Sequence, residues 1–508
     1  MKRILCITVA AIVLSANGLL AQDRTDALRW SQYFYDGTAR FSAMGGAFGA
    51  LGGDAASLSV NPAGVGVYRS AEFSITPSYL ITNTKASFTN QAMQSRKKDR
   101  GDFNFAYVQP FILREDNQGL ISLSFGAAGN TLNEYSYNSL AVHVRSQSSW
   151  LDPLNKKMED NWQYFDPAKM EGNSRYRDFA PGDWDAVLGW NNKLIDEDSI
   201  GFYPAWGHEY GDIIKQQRWV ETKGRNTELA LSFGGNYANT LYFGLTVGIH
   251  DIDYKKYITH MEDVVETSAS NPTDLLYFDY AQYFETKGSG FNLKLGLLYR
   301  VNDNWRLGLA VHTPTWLRLT DYYQASMDSK FGSDTQTFDP DVTPANEYAY
   351  NVSTPARYNV SAAYLFSKIG AISVDYEYVD YSTIKMKDRY FYKSQGDSFD
   401  DENNSIKSEF TGASNIRFGV EIKPVERFAI RAGYAFYGSP YKNSVQGGDP
   451  TKQIISFGLG YRIDGFFVDA AYKYLMSQSG LYTIYKNSNT MSEKYNTNQF
   501  ALTLGFRF

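Results

Sequence analysis

The residues in this chain that could do chemistry are few, and their spacing is wrong for it. Glycines at 45, 46, 49, 52 and 53 are the first candidates, because a glycine-rich loop can aim backbone N–H groups at a phosphate. No Gly-Lys-Ser/Thr follows Gly53, and the spacing misses the dinucleotide fingerprint. The five histidines, at 143, 208, 250, 260 and 312, fit no metal-protease pattern, and no Gly-x-Ser-x-Gly elbow supplies a nucleophile. The acidic stretch 397–402 lacks the register of a calcium loop and reads as a solvated loop. The single cysteine, Cys6, falls in an N-terminal apolar run, which leaves the rest of the chain without disulfides or thiolate metal sites. These residues predict no enzyme, no cofactor and no metal. A net charge of −6 with dispersed cations also excludes nucleic acid as a partner.

The remaining charges sit in segments with a two-residue period, so the elements that carry them are strands. Phe428, Ile430, Ala432, Tyr434 and Phe436 alternate with Ala429, Arg431, Gly433 and Ala435. Phe466, Val468, Ala470, Tyr472 and Tyr474 alternate with Phe467, Asp469, Ala471 and Lys473, and the chain ends on Phe500, Leu502, Leu504, Phe506 and Phe508. Such a period places two different solvents on the two faces. Short links at 238–240, 301–304, 423–427 and 463–465 alternate with long ones at about 84–100, 135–226, 257–288, 321–354, 385–412, 438–451 and 477–494. A soluble sandwich has loops of comparable length at both ends; this asymmetry is that of short periplasmic turns and long external loops. The predicted fold is all-β, an antiparallel transmembrane β-barrel of about 14 strands over residues 71–508. Residues 4–21, apolar after Lys2 and Arg3, read as part of a secretory leader spanning 1–21. Residues 22–70, with a short helix near 26–34, read as an N-terminal hatch folded inside the lumen, where Pro62 forbids helix and fixes a turn.

The segment 45–64, GGAFGALGGDAASLSVNPAG, with Asn61-Pro62-Ala63 and a strand directly after it, resembles the hatch of the FadL/TodX type of long-chain fatty-acid outer-membrane transporters. Residues 304–319, 414–440 and 453–475 resemble successive barrel strands of that family in order and spacing. The resemblance implies a monomeric channel in the bacterial outer membrane for passive uptake of hydrophobic small molecules such as long-chain fatty acids or aromatic hydrocarbons. Its partners would be a fatty-acid-like ligand, outer-membrane lipid and lipopolysaccharide. A kink in the third strand of that family opens the barrel wall sideways, and Gly126 or Gly129 would mark it here; packing against the hatch is an equal alternative. The rival function is a hatch-closed barrel used as a docking or secretion-accessory platform.

Two groups of side chains are candidates for the site. The lumen charges Arg306, Arg357, Arg417 and Arg431 share the inward face with Arg300, His312, Asp375, Glu377, Glu421, Arg462 and Asp469. Mixed signs predict mutual pairing and hatch anchoring first, because charges held away from water are paired; an arginine meeting a ligand carboxylate is the second reading. Trp150, Trp162, Trp184, Trp190, Trp206 and Trp219 crowd the loop at about 135–226. They predict a folded cap with its own small core, with helices near 152–162 and 209–222. That cap serves either as a capture groove for an apolar ligand or as a self-packed lid.

Overall fold

The structure, a computed structural model, describes residues 23–508 apart from 89–90, 117, 173–174, 200, 206–211, 268–273, 333–340, 368, 390–398, 443–450 and 484–489. The expected leader and Trp206 lie outside the described residues. Fourteen antiparallel staves form one closed wall. They are β1 (Glu72–Phe88), β2 (Gln91–Ile112), β3 (Leu120–Glu134, continued by Tyr137–Ser146), β4 (Ile213–Tyr237), β5 (Leu241–Glu266), β6 (Leu275–Arg300) and β7 (Trp305–His312 with Trp316–Phe331). The second half comprises β8 (Arg357–Leu365 with Asn346–Ser353), β9 (Gly370–Asp380 with Lys385–Asp388), β10 (Gly412–Val425), β11 (Phe428–Tyr437), β12 (Lys452–Ile463), β13 (Phe466–Thr483) and β14 (Thr490–Arg507). β14 pairs with β1 from Glu72↔Arg507 to Phe88↔Met491, which closes the ring.

Alternation is clearest on β6, where Leu293, Leu295, Leu297 and Tyr299 are exposed on the outer wall while Asn292, Lys294 and Leu298 are buried inside. Such an outer belt faces lipid, and closure leaves no strand edge unpaired there. β4, β5 and β6 run 25, 26 and 26 residues, well beyond the roughly 9–11 that cross a bilayer. Their outer halves form tall hairpins, so most of 257–288 and 84–100, expected as loop, is strand. The helix expected over 209–222 is replaced by strand from Ile213 onward. Above the bilayer neither face meets hydrocarbon and the alternation fades, although the pairing continues. Residues 400–402 likewise open a helix, Asp400–Glu409, rather than a solvated loop, with Phe399 and Ile406 buried beneath it.

Residues 23–70 fold inside the barrel as α1 (Arg24–Ser31), α2 (Ala39–Ala43) and two 3₁₀ turns, Ala55–Ser59 and Pro62–Val67. Pro62 opens a 3₁₀ helix instead of excluding one, because the first helical N–H has no intrahelical partner to lose. Wall glycines mark where the hatch rests. A methyl group on Gly244, Gly296, Gly308, Gly419, Gly433 or Gly458 would stand 2.0–2.6 Å from hatch atoms of Pro62, Asn61, Gly49, Met44, Gly45 and Ala43 respectively. At Gly244, Gly308, Gly419 and Gly433 the backbones of wall and hatch therefore touch without intervening side chains.

Gly433→Val is expected to insert as a heat-modifiable barrel with its hatch pushed off the wall, at an overpacking cost of about 1–3 kcal/mol. Planar-bilayer conductance then rises and protease reaches residues 39–67 sooner. Unchanged conductance and protection would show that the hatch tolerates bulk there.

Candidate functional site in the lumen

The hatch is built by local polar contacts. Asp23 caps α1 by accepting from the backbone N–H groups of Thr25 and Asp26, and Thr38 caps α2 through Phe41 N. Asn61 accepts from Ala63 N at 3.0 Å and donates through Nδ2 to Gly49 O at 2.6 Å and to the wall carbonyl Leu297 O at 3.1 Å. Asn61, Pro62 and Ala63 thus tie the second 3₁₀ turn both to the glycine run and to β6. Ala63 is buried against Tyr242 and Leu298.

Charges on the inner wall meet this hatch in a ladder. Glu421 on β10 receives Arg431 of β11 at 2.7 Å and Arg40 of α2 at 2.9 Å, and Arg431 also reaches Asp469 at 2.5 Å. Asp375 accepts from Gly49 N at 2.9 Å, and Arg417 stands 3.8 Å from both Asp375 and Glu377. Arg357 pairs with Glu377 at 3.2 Å and donates to Ser31 O, with Tyr33 beneath its guanidinium at 4.0 Å. Tyr35 donates to Glu377 at 3.0 Å and lies 5.0 Å from Arg417. Arg306 donates to Leu51 O at 2.9 Å, and His312 contacts Val60 O at 2.9 Å. Arg300 and Arg462 sit apart from the ladder, half-buried: Arg300 pairs with Asp303 and Arg462 lies over Phe467.

Lys294, Glu228 and His250 on the wall, and Arg40 of the hatch, escaped sequence reasoning. Lys294 holds Glu228 at 2.5 Å and Ser59 O at 3.1 Å, and His250 lies 3.4 Å from Glu228. Their inward parity on β4–β6 was the available signal. The hatch residue Arg40 carried none, because its partner Glu421 is 381 positions away.

Above the charges the lumen turns apolar. Ile252, Tyr254, Leu317, Leu319, Tyr350, Val352, Val379 and Met386 form one buried cluster with Leu28 and Trp30 of α1. α1 stands in an apolar chamber and fills it: Trp30 is fully buried and meets Tyr135 and Tyr254 edge-on at 5.7 and 5.5 Å.

The wall beside this chamber is interrupted. β2 and β3 pair only from Ile112↔Ser122 to Phe105↔Gly129. Beyond Gly129, residues 130–133 are all buried, so β3 turns inward, and its upper half passes inside the β1–β2 hairpin, where Ala141 packs on Ala86 and Phe88. The hatch takes up the vacated edge, with Phe34 N and Asp36 N donating to Leu132 O and Thr131 O at 2.6 and 2.8 Å. The two glycines differ: a methyl on Gly126 would strike Leu58 of the hatch at 2.8 Å, whereas one on Gly129 would strike the Phe105 ring at 2.6 Å.

The cap contains α3 (Leu151–Asp160), α4 (Pro167–Glu171) and α5 (Trp184–Asn191). Trp150 and Trp184 are buried with Leu154, Met158, Phe165 and Leu188, on a floor that includes Tyr280 and Met327. Trp190 packs against that core, Trp162 is 39% exposed, and Trp219 is half-buried on β4 opposite Leu140. The described tryptophans of this segment are thus dispersed and do not line one surface.

A closed barrel with an internal hatch defines a bacterial outer-membrane transport protein. The family described as outer membrane protein transport protein (OMPP1/FadL/TodX) matches residues 219–508, and the chain belongs to it. The crystal structure of a Pseudomonas aeruginosa FadL homologue superposes with a TM-score of 0.54 at 12% identity, covering 94% of this chain and 100% of that one. The Pseudomonas putida toluene transporter TodX gives 0.50 at 14% identity, covering 94% and 100%. A 47 kDa outer membrane protein of Pasteurella multocida (strain Pm70) is 22% identical over 43% of this chain, which spans 50% of that protein's length.

Removing the Glu421 charge leaves Arg40 without its carboxylate and Arg431 with Asp469 alone, and breaking a buried pair costs about 3–5 kcal/mol. Glu421→Gln is therefore expected to lower the denaturation midpoint clearly, while Arg114→Gln, at an exposed pair with Asp116, leaves it unchanged. Equal midpoints would show that the ladder does not hold the hatch. Asp54 adds a pH dependence. Burial, with Glu72 adding to it, outweighs Arg40, the Thr38 hydroxyl and Ala56 N–H and pushes its carboxyl up to about 6. A carboxyl raised in the fold contributes most below its ordinary 3.8 and loses that contribution as pH rises through about 6. Protease protection of the hatch is expected to fall between pH 4 and 7 and to do so less in Asp54→Asn; identical profiles would remove Asp54 as the cause.

Proposed function

We propose that this protein carries hydrophobic small molecules, of the size and character of long-chain fatty acids or aromatic hydrocarbons, passively across the outer membrane. The observation that carries this reading is the apolar chamber around α1. A water-filled porin has a polar interior, whereas here aliphatic and aromatic side chains line the lumen between cap and charge ladder. Ligand sites are concave and mostly apolar with a few polar groups, and the chamber matches that description with α1 in the ligand's place. Transport proteins of the same fold, one named for toluene, support the substrate class.

In this reading the ligand enters from the cap and displaces Leu28 and Trp30. It leaves through the wall where β2 and β3 part, Gly129 marking the opening and Gly126 seating the hatch. The ladder arginines are committed to carboxylates, carbonyls and tyrosine rings of wall and hatch, so anchoring is their role. The barrel closes within one chain, and a monomer is complete. Nothing favours the docking platform, since Trp150 and Trp184 are spent on the cap's own core.

Native mass spectrometry of barrel released from detergent, with identification of co-purified small molecules, tests the substrate class. An apolar acyl or aromatic ligand, displaced by excess long-chain fatty acid or toluene, is the expected result; a polar solute, or no saturable binding of either, would overturn it. Gly129→Val is expected to slow uptake by cells lacking other fatty-acid transporters while leaving ligand binding intact, and wild-type uptake would remove the lateral route. Trp30→Ala is expected to enlarge the chamber and raise ligand occupancy.

A further inference from the structure

On three neighbouring staves, β14, β1 and β2, the outer wall passes from apolar to cationic and amide side chains along one oblique line. On β2 the outward positions run Tyr107, Phe105, Phe103 and then Arg100, Lys98, Arg96. On β1 they run Phe73, Tyr79, Ile81 and then Asn83, Lys85, and on β14 Leu504, Leu502, Phe500 and then Asn498, Asn496, Lys494. β13 contributes Tyr472, Tyr474 and Met476. The register sets these changes side by side, about four residues lower on β2 than on β1 and β14: Arg100 lies opposite Tyr79, itself opposite Phe500, while Asn83 lies opposite Asn496 and Arg96, and Lys85 opposite Lys494 and Gln94. Below the line the side chains are exposed and apolar, with Tyr79 40% and Phe500 47% accessible. Above it five cations gather in a chain whose net charge is −6.

No carboxylate among the described side chains lies within ion-pair reach of Lys85, Arg96, Lys98, Arg100 or Lys494. The comparable stretch of β5 and β6 differs: outward Lys255 and Lys287 both hold Glu285, at 3.4 and 2.6 Å. Like charges directly opposite on neighbouring strands destabilise a sheet, and Lys85 facing Lys494 is such a pair. The side chains are also organised. Arg96 Nε donates to Asn83 at 2.9 Å, and Asn83 donates to Asn496 at 3.1 Å. A cavity of about 650 Å³ opens here, lined in part by Asn83, Lys85, Arg96, Tyr474, Met476 and Lys494.

We propose that this patch is a binding site for the phosphorylated headgroup of an outer-leaflet glycolipid of the lipopolysaccharide type. Phosphate bridges Lys85, Lys494 and Arg96, and the acyl chains lie along Ile81, Tyr79 and Phe500. Arginine and lysine are the side chains that hold phosphate, and cations at a lipid surface attract anionic headgroups. The apolar belt directly beneath selects a phosphate carried on a lipid over one in solution. The site is on the outside of the barrel and independent of the uptake reading.

The test measures binding of lipopolysaccharide to the purified full-length barrel by native mass spectrometry and thermal shift. Dephosphorylated lipopolysaccharide, phosphatidylethanolamine and inorganic phosphate serve as comparison probes. Lys85→Gln/Arg96→Gln/Lys98→Gln/Lys494→Gln is expected to keep its heat-modifiable mobility and to bind lipopolysaccharide at least about tenfold more weakly. Should it fail to insert, Lys85→Gln and Lys494→Gln singly, each relieving the like-charge contact, carry the same test. Equal binding by the variants, or equal binding of the dephosphorylated lipid, would overturn the site. Stabilisation by inorganic phosphate as large as that by lipopolysaccharide would overturn the lipid as its occupant.

Discussion

Every other feature of this protein follows from the requirement that backbone N–H and C=O groups facing hydrocarbon be hydrogen-bonded within the protein. The pairing of β1 with β14 meets it by removing the last strand edge. Closing the wall creates an interior, and a period of two sends every second side chain into it. What fills that interior decides whether the barrel is a pore, a solid post or a gated channel.

Here the lower lumen is filled by a hatch with which the wall shares its charges. A charge taken from water is costly unless paired, so Glu421, Asp375 and Glu377 need cations, and Arg431, Arg417 and Arg357 need anions. The hatch enters the same network through Arg40, Gly49 N, Ser31 O and Tyr35, which makes it part of the electrostatic balance of the wall. Close backbone contact at the wall glycines gives this arrangement its register, since a larger side chain at Gly308 or Gly433 would occupy hatch volume. Ion pairs supply orientation and the glycines supply fit.

The upper lumen follows another rule. Its apolar lining is buried against α1, so the chamber is occupied by the protein's own side chains. That chamber adjoins the stretch where β3 leaves β2 and where Phe34 and Asp36 take over hydrogen bonds that a neighbouring stave would otherwise make. One N-terminal segment therefore occupies the chamber and the breach in the wall together, and a movement of residues 24–36 would alter both.

Much of this was legible in the linear chain wherever the physics is local. Alternation at 428–436 and 466–474 gave strands with two solvents, loop asymmetry gave the barrel, and parity placed Arg357, Arg417 and Arg431 inside. Legibility failed where the environment ceased to alternate. Residues 257–288 read as loop and Ile213–Thr222 as helix because above the bilayer neither face meets lipid, yet hydrogen bonding carries the strands on. The tryptophans of the cap announced a core but not its members, since Trp150 and Trp184 are buried while Trp162 remains exposed. By itself the sequence determined which side chains face in and which face out, because that depends on a two-residue period along one strand. Only the tertiary structure decided that Arg40 meets Glu421, that Gly126 seats the hatch while Gly129 lies under Phe105, and that α1 fills an apolar chamber. Those contacts join segments hundreds of residues apart, and barrel closure and strand register alone bring them together.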